Sequence, residues 1–236
     1  LGILMAPAAA GGTNWPGGSL DPETGILYVS SNSSLGALSL VPPYPGQSDM
    51  AYIQGNPITG PRTSGGAGSS AGGGRTEFQA QQRQAPVSTR GTPPRGILVD
   101  RLPLQKPPYG KISALDLRDG SLAWQIAHGQ TPDRVANHPA LASLDIPRTG
   151  QSASVGTLVT KTLLIAGEAE MTTDDEGERR AFLRAYNKSN GEEVGALKLP
   201  APQTGSPMTY MLDGEQYLVL AVSGSGYSGE LLAFKL

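Results

Sequence analysis

Cysteine is absent from the 236 residues, which excludes disulfide bonds, thiolate zinc sites, iron–sulfur clusters and covalently attached c-type haem. Charged side chains are scarce at 16%, and 18 basic against 20 acidic groups leave a formal net charge of -2. A protein that binds nucleic acid needs a basic surface, so the composition gives no reason to expect DNA or RNA as a partner. No apolar run approaches the roughly 18 residues that a membrane-spanning helix requires.

The chain is instead rich in residues that form turns, with 32 glycines and 20 prolines. Short apolar runs recur between clusters of Gly, Pro, Asn and Asp, which is typical of short strands joined by tight turns. Several runs are apolar at consecutive positions, which indicates strands covered on both faces. One short helix is predicted over 132–137, with Thr131 as its N-cap. The sequence therefore predicts an all-β fold, with its clearest strands at 26–31, 111–117, 122–127, 162–166, 182–186, 194–199, 217–222 and 231–236.

Residues 60–96 differ in composition from the rest of the chain. They are rich in Gly, Ser and Arg, contain a single acidic side chain, Glu77, and show almost no apolar periodicity. Such a composition cannot bury enough apolar surface to fold by itself. We predict that 60–96 is a flexible insertion within one domain that spans 1–236.

An internal repeat follows the turns. Residues 114–124 read ALDLRDGSLAW, residues 185–195 keep the spacing of the Ala and the Gly, and residues 229–235 parallel 110–116. Asp accepts hydrogen bonds from the amides of its own turn, Gly takes the position with positive φ, and Trp124 offers a large apolar face to a neighbouring unit. About eleven or twelve strands in units of four make roughly three blades of a β-propeller.

Two motifs of other enzyme classes lack the context that their chemistry needs. Residues 224–229 match the dinucleotide-binding pattern G-x-G-x-x-G, but a predicted strand follows where a helix must begin. Residues 68–72 match the nucleophile elbow G-x-S-x-G, but they lie in the Gly-rich insertion instead of between a strand and a helix. His128 and His138 are the only histidines, and we expect structural hydrogen bonding from both.

Four segments carry distinctive motifs: 11–29 (GGTNWPGGSLDPETGILYV), 107–112 (PPYGKI), 131–139 (TPDRVANHP) and 201–210 (APQTGSPMTY). Together they resemble segments of the quinoproteins, which are dehydrogenases that use pyrroloquinoline quinone (PQQ). They look like the glucose-dehydrogenase-like branch, and the 114–124 element resembles that family's tryptophan-docking motif between blades. The resemblance covers nearly the whole chain outside 60–96. It implies the C-terminal part, about three blades, of an eight-bladed β-propeller with antiparallel four-stranded blades.

The resemblance implies a dehydrogenase that oxidises a hydroxyl group of a glucose-like sugar or of an alcohol, with PQQ as its cofactor. Calcium is expected from the upstream part of the enzyme. Ubiquinone or a cytochrome would accept the electrons, and the parent protein would lie in the periplasm, with or without attachment to the inner membrane. The chain alone is predicted to be inactive without the remaining blades. The alternative is a non-catalytic propeller that serves as an interaction scaffold, similar to the outer-membrane assembly lipoproteins.

The resemblance also carries three residues to the cofactor site. Asn14 corresponds to the Asn that reaches the quinone edge, and the alternative is an Asn that only satisfies its own turn. Trp15 either lines the pocket or packs between blades, and packing is favoured. Ile165 is the nearest match to a residue whose backbone approaches the quinone. No catalytic residue and no metal ligand is predicted within this chain. The aspartates that lack a matching context are Asp21, Asp100, Asp116 and Asp133.

Overall fold

A computed structural model describes residues 2–8, 11–56, 60–61, 97–224 and 226–235. Within them the regular secondary structure is almost entirely β-strand, as predicted, and every strand pair is antiparallel. None of the helices in this described part is long and apolar enough to span a membrane. The strands are β1 (Ile3–Met5), β2 (Gly18–Asp21), β3 (Ile26–Asn32), β4 (Gly36–Val41), β5 (Ile53–Asn56), β6 (Gly60–Pro61), β7 (Leu98–Val99), β8 (Leu102–Pro103), β9 (Gly110–Asp116), β10 (Leu122–Ala127), β11 (Thr157–Val159), β12 (Leu163–Gly167), β13 (Thr172–Thr173), β14 (Arg179–Asn187), β15 (Glu193–Leu199), β16 (Met208–Leu212), β17 (Glu215–Gly224) and β18 (Tyr227–Lys235).

Three sheets repeat the same path of the chain. The first sheet is β2-β3-β9-β10, the second is β11-β12-β14-β15 with β13 beside the start of β14, and the third is β16-β17-β18. In each sheet the neighbouring strands follow the order of the chain, so each is an antiparallel meander like a propeller blade. This arrangement confirms the prediction of about three blades.

The insertion between β3 and β9 forms smaller sheets of its own. β4, β5 and β6 pair in sequence with β1 at their outer edge, and β7 pairs with β8. The segment predicted to be a flexible insertion begins in β6, whose Gly60 and Pro61 pair with β5. Its remaining residues, 62–96, lie outside the described residues.

The sequence repeat corresponds to one turn that occurs in three hairpins. In the turns 21–25, 116–120 and 187–191 the N–H of the closing glycine donates to the carbonyl oxygen of the first residue, at 2.9, 2.8 and 2.9 Å. The three closing glycines have φ of 70°, 76° and 76°. An L side chain is strained in that region, which explains why each turn closes with Gly.

Two apolar cores lie between consecutive sheets. Successive side chains of a strand point to opposite faces, so β12 contributes to both cores. Leu164 and Ala166 pack with Tyr28, Ile112 and others between the first and second sheets. Ile165 packs between the second and third sheets. The consecutive apolar residues of β12 therefore mark a strand that is covered on both faces, as predicted, whereas Val194 of β15 and Leu231 of β18 are exposed.

Trp124 lies at the junction of the first and second sheets. Its indole Nε1 donates to the carbonyl oxygen of Lys188 at 3.1 Å, and its ring lies 5.7 Å from that of Tyr28. A Cβ atom on Gly191 would come within 2.8 Å of the indole, so the ring packs directly on the backbone of the second sheet's turn. The contribution of this contact to stability stays a prediction.

The single predicted helix is present but begins later than expected. Helix α1 spans Asp133–Ala136 and has Pro132 at its N-cap position without a side-chain cap. The prediction that Thr131 caps this helix is wrong, because its hydroxyl oxygen accepts the N–H of Thr149 instead. Pro has no N–H and its fixed φ suits a helix start, so Pro132 needs no preceding cap.

Candidate functional site

The loops that connect the blade strands differ sharply in length at the two ends of the sheets. Because the strands alternate in direction, the short turns share one end of a sheet and the longer connections share the other. We call that other end the long-loop face; its connections are 33–109, 128–156, 168–178 and 200–207. The segment 11–17, which leads into β2, lies there too. Propeller loops of this kind carry function on a rigid scaffold.

Neighbouring sheets present this face on the same side. The hydroxyl of Ser154 donates to the carbonyl oxygen of Gly12 at 3.0 Å, which joins the loops leading into β11 and β2. The amide of Gln203 donates to the carbonyl oxygen of Gly156 at 2.8 Å, which joins the loops leading into β16 and β11. The three leading loops therefore form a continuous strip across the long-loop face.

Asn14 and Trp15 stand on an exposed turn at the start of this strip. The Oδ1 atom of Asn14 accepts the N–H of Trp15 at 2.8 Å, and its carbonyl oxygen accepts the N–H of Gly17 at 2.9 Å. Its Nδ2 has no hydrogen-bond partner among the described residues. Trp15 is 96% exposed. Within the described residues Trp15 packs against no blade, so its packing between blades of the full-length protein stays a prediction, and the turn presents an amide donor and an aromatic face.

The structure does not bring Ile165 together with that turn. Ile165 lies in the middle of β12, where its neighbours are Leu158 on β11 and Ala185 on β14. Its side chain is 5% exposed within the core between the second and third sheets. Among the described residues, no hydrogen bond or ring contact joins it to Asn14 or Trp15. The role predicted for Ile165 is that its backbone approaches the quinone. That role stays a prediction.

His128 joins the ends of the first and second sheets through both of its ring nitrogens. Nε2 lies 3.1 Å from the carbonyl oxygen of Gly167, and Nδ1 lies 2.9 Å from the hydroxyl of Tyr186. A carbonyl oxygen can only accept, so Nε2 carries the proton and Nδ1 accepts from Tyr186. Burial lowers the pKa of His128 to about 4, so the ring is neutral at pH 7. This is the structural hydrogen bonding that the sequence predicts.

A buried ion pair beside His128 was not predicted. The Arg184 guanidinium donates through Nε to Oε1 of Glu168 at 2.8 Å, and the N–H of Gln130 donates to the same oxygen at 2.9 Å. The Glu168 and Arg184 side chains are 0% and 2% exposed. Burial raises the pKa of Glu168, while the guanidinium favours its charged form. The pair fastens the loop after β10 to the second sheet, beneath the long-loop face.

A polar cleft of about 560 Å³ lies between α1 and the hairpin of β13 and β14. The acidic tip of that hairpin is engaged within its own surroundings. Asp174 accepts the N–H groups of Glu176 and Glu178, and Lys198 pairs with Asp174 at 3.2 Å and with Glu176 at 2.7 Å. Nowhere in the described ranges do three or more Asp, Glu or His side chains cluster as metal ligands would.

Comparison with known proteins identifies the family of the chain. Residues 1–218 match the family model of the PQQ enzymes described as "Glucose/ethanol/alcohol dehydrogenase, beta-propeller domain". The chain belongs to this quinoprotein family. It is 30% identical over 238 residues to the quinoprotein glucose dehydrogenase of Escherichia coli (strain K12), across 97% of this chain and 25% of that protein. It is 28% identical over 235 residues to the probable quinate dehydrogenase (quinone) of Xanthomonas campestris pv. juglandis, across 95% of this chain and 25% of that protein.

The solved structures agree with the propeller fold. The quinohemoprotein alcohol dehydrogenase from Comamonas testosteroni is similar over 100% of this chain and 28% of that one, with a TM-score of 0.57 at 17% identity. The quinoprotein chain thus spans about a quarter of the length of the curated relatives that it matches. The resemblance to the PQQ-dependent dehydrogenases and the all-β propeller architecture are both confirmed.

Proposed function

We propose that this quinoprotein chain supplies part of the wall of the PQQ site in an enzyme that oxidises a hydroxyl group of a glucose-like sugar or of an alcohol. The observation that carries the proposal is the exposed turn of Asn14 and Trp15 on the long-loop face. Both side chains are exposed on the long-loop face. An indole face beside an amide donor offers a planar ligand both a stacking surface and a hydrogen bond.

The Asn14 side chain fits a planar cofactor that carries carbonyl and carboxylate oxygens. Its Oδ1 accepts the N–H of Trp15, while its Nδ2 has no hydrogen-bond partner among the described residues and keeps both protons for a ligand. An amide nitrogen donates to oxygen acceptors and cannot itself accept. Asn14 would therefore hold the cofactor as a hydrogen-bond donor.

Trp15 and the glycines around it fit the flat shape of such a cofactor. The indole is 96% exposed, so a full aromatic face is available for stacking. Gly17 has nothing within 4 Å of where a Cβ would stand, which leaves open space beside the turn. Small residues at such a place let the backbone approach a ligand closely.

In this proposal the catalytic base lies elsewhere in the enzyme, because three of the chain's aspartates are already engaged by other groups of the chain. Asp21 accepts hydrogen bonds from Lys188 and Thr24 at the short-turn end, and Lys188 lowers its pKa. Asp116 pairs with Arg118 at the same end, and this hydrogen bond lowers its pKa to about 2. On the long-loop face, Asp133 accepts the N–H and the hydroxyl of Thr173.

These positions indicate which roles this chain would have in the proposed enzyme and which roles the rest of the enzyme would have. Bound PQQ would accept the hydride that leaves the substrate carbon. This chain would bind and orient the quinone edge through Asn14 and cover one face through Trp15. Residues outside the chain would hold calcium and take the hydroxyl proton. Ubiquinone or a cytochrome as the electron acceptor, and a periplasmic location, belong to the same proposal.

Cofactor affinity of the full-length apoenzyme tests the proposal. Loss of one neutral hydrogen bond costs about 0.5–1.5 kcal/mol, so Asn14→Ala should weaken PQQ binding about three- to tenfold. Asn190→Ala is the matched control, because Asn190 is an exposed Asn in a turn at the opposite end of the second sheet. Equal affinities for the Asn14 and Asn190 variants would contradict the proposal. A full-length protein that binds no PQQ would favour the non-catalytic scaffold.

A further inference from the structure

The turn that carries Asn14 and Trp15 is exposed at its tip but fastened at its base. The carbonyl oxygen of Gly12 accepts the N–H of Asn32 at 2.7 Å and the hydroxyl of Ser154 at 3.0 Å. The side-chain Nδ2 of Asn32 lies 3.2 Å from the carbonyl oxygen of Gly11 and 3.3 Å from that of Gly12. Two side chains thus converge on the backbone just before the turn.

The two fastening residues come from different blades. Asn32 ends β3 of the first sheet, while Ser154 stands in the loop that leads into β11 of the second sheet. They also contact each other, since Asn32 Nδ2 lies 3.4 Å from the Ser154 hydroxyl. Because Ser154 is 142 residues from Gly12 along the chain, only the packing of the two sheets brings it to the turn.

The loop that carries Ser154 is itself held firmly. The Oε1 atom of Gln151 accepts the N–H groups of Ala169 and Glu170 at 3.1 and 3.0 Å, and its Nε2 donates to the carbonyl oxygen of Glu170. Gln151 is 3% exposed. A buried amide with both ends engaged fixes the loop three residues before Ser154, so the Ser154 hydroxyl reaches Gly12 from a rigid support.

We infer that Ser154 is a positioning residue for the cofactor-facing turn: its hydroxyl, held by the second blade, fixes Asn14 of the first blade in the geometry that binds PQQ. The inference rests on the proposed function. A ligand-binding side chain contributes most when its backbone is held before the ligand arrives, since less freedom is lost on binding. The Ser154 hydroxyl itself need not touch the cofactor.

Ser19 offers a matched control within the same pair of sheets. Its hydroxyl also crosses from the first sheet to the second, where it lies 2.6 Å from the carbonyl oxygen and 2.7 Å from the hydroxyl of Thr157. Ser19 stands on β2, beyond the turn, and makes no hydrogen bond to its base. Ser154→Ala and Ser19→Ala therefore each remove one serine bridge between the same blades, but only the first loosens the turn.

The experiment measures PQQ dissociation constants and melting temperatures of the full-length apoenzyme for both variants. Ser154→Ala should weaken PQQ binding about three- to tenfold, Ser19→Ala by less than about twofold, and Ser154→Thr, which keeps the hydroxyl, should restore tight binding. Hydrogen exchange of the peptide 11–17 without cofactor should be faster in Ser154→Ala and unchanged in Ser19→Ala, because the N–H of Gly17 bonds to Asn14.

A double-variant cycle shows whether the effect passes through Asn14. In the Asn14→Ala background, Ser154→Ala should add less than about twofold to the dissociation constant. The inference is overturned if Ser154→Ala keeps its full effect in that background, or if Ser154→Ala and Ser19→Ala weaken binding equally. If Asn14→Ala weakens binding and Ser154→Ala does not, positioning fails while the proposed function stands. If Asn14→Ala itself leaves the affinity unchanged, the proposed cofactor wall fails.

Discussion

At the scale of single residues, the side-chain amide of Asn14 makes a hydrogen bond through its oxygen and none through its nitrogen among the described residues. The oxygen accepts the N–H of Trp15. Asn14→Asp keeps an oxygen for Trp15 but replaces the donor with a negatively charged acceptor. Against a cofactor that carries carboxylates, like charges repel, so we expect about tenfold weaker PQQ binding than in Asn14→Ala. Titrations at low and high salt check this, because salt screens exposed charges and should narrow the gap. Affinity equal to that of the unmodified protein would exclude a donor role.

His128 makes the stability of the protein depend on pH. Its pKa is lowered from 6.5 to about 4 in the folded state, so between these values the unfolded chain binds the proton more tightly. Stability is therefore fully present above about pH 6.5 and falls as the pH drops toward 4. From pH 7.5 to pH 5 we expect His128 to contribute a loss of about 2 kcal/mol.

Urea unfolding of the full-length protein and of His128→Gln at the two pH values measures this contribution. Other titrating groups act in both proteins, so the difference between the two pH dependences isolates His128. His128→Gln should lack the loss of about 2 kcal/mol even if it is less stable at pH 7.5. Parallel pH dependences for the two proteins would show that the buried ring is not the sensitive group.

At the scale of elements, the two tryptophans provide a natural comparison. Trp124 packs on Gly191 and donates to the carbonyl oxygen of Lys188, so it joins two blades, whereas Trp15 is 96% exposed. Trp124→Ala should lower the free energy of unfolding by about 3 kcal/mol and leave the PQQ affinity of the folded protein nearly unchanged. Trp15→Ala should change stability by less than about 0.5 kcal/mol and weaken PQQ binding.

Melting temperatures and PQQ dissociation constants of the two Trp variants decide between these roles. Loss of PQQ binding in Trp124→Ala without a lower melting temperature would place Trp124 in the cofactor site and remove its docking role. A strongly lowered melting temperature in Trp15→Ala would instead show that another part of the full-length protein covers Trp15.

At the scale of the whole molecule, the proposed function gives this chain one wall of the PQQ site and places the catalytic base outside it. We expect the 236-residue chain alone to oxidise neither sugars nor alcohols, even with added PQQ and calcium. A dye-reduction assay with glucose and with ethanol measures this, and the full-length enzyme is the control. Turnover that depends on PQQ in the isolated chain would show that a group of this chain acts as the base after all.

The turns, the strands and the family resemblance could be predicted from the sequence. The turns that end at Gly25, Gly120 and Gly191 follow from short-range rules, because an Asp or Asn and a Gly at fixed spacing close the same hydrogen-bonded turn wherever they occur. The consecutive apolar residues of β12 likewise predicted a strand covered on both faces. The resemblance of the Asn14 segment to quinoproteins rests on contiguous residues and needed no tertiary information.

Contacts between distant residues were decided only by the tertiary structure. Glu168 and Arg184 lie in different segments with no spacing that marks an ion pair, and Ser154 reaches Gly12 across 142 residues. The sequence by itself thus determined the strands, the turns and the family, since each depends on neighbouring residues. The packing of one blade on the next decided which side chains are buried, which turn is fastened and why Trp15 is exposed while Trp124 is packed. Burial and contacts of these side chains depend on which surfaces pack together in the fold, and the order of residues along the chain does not show that.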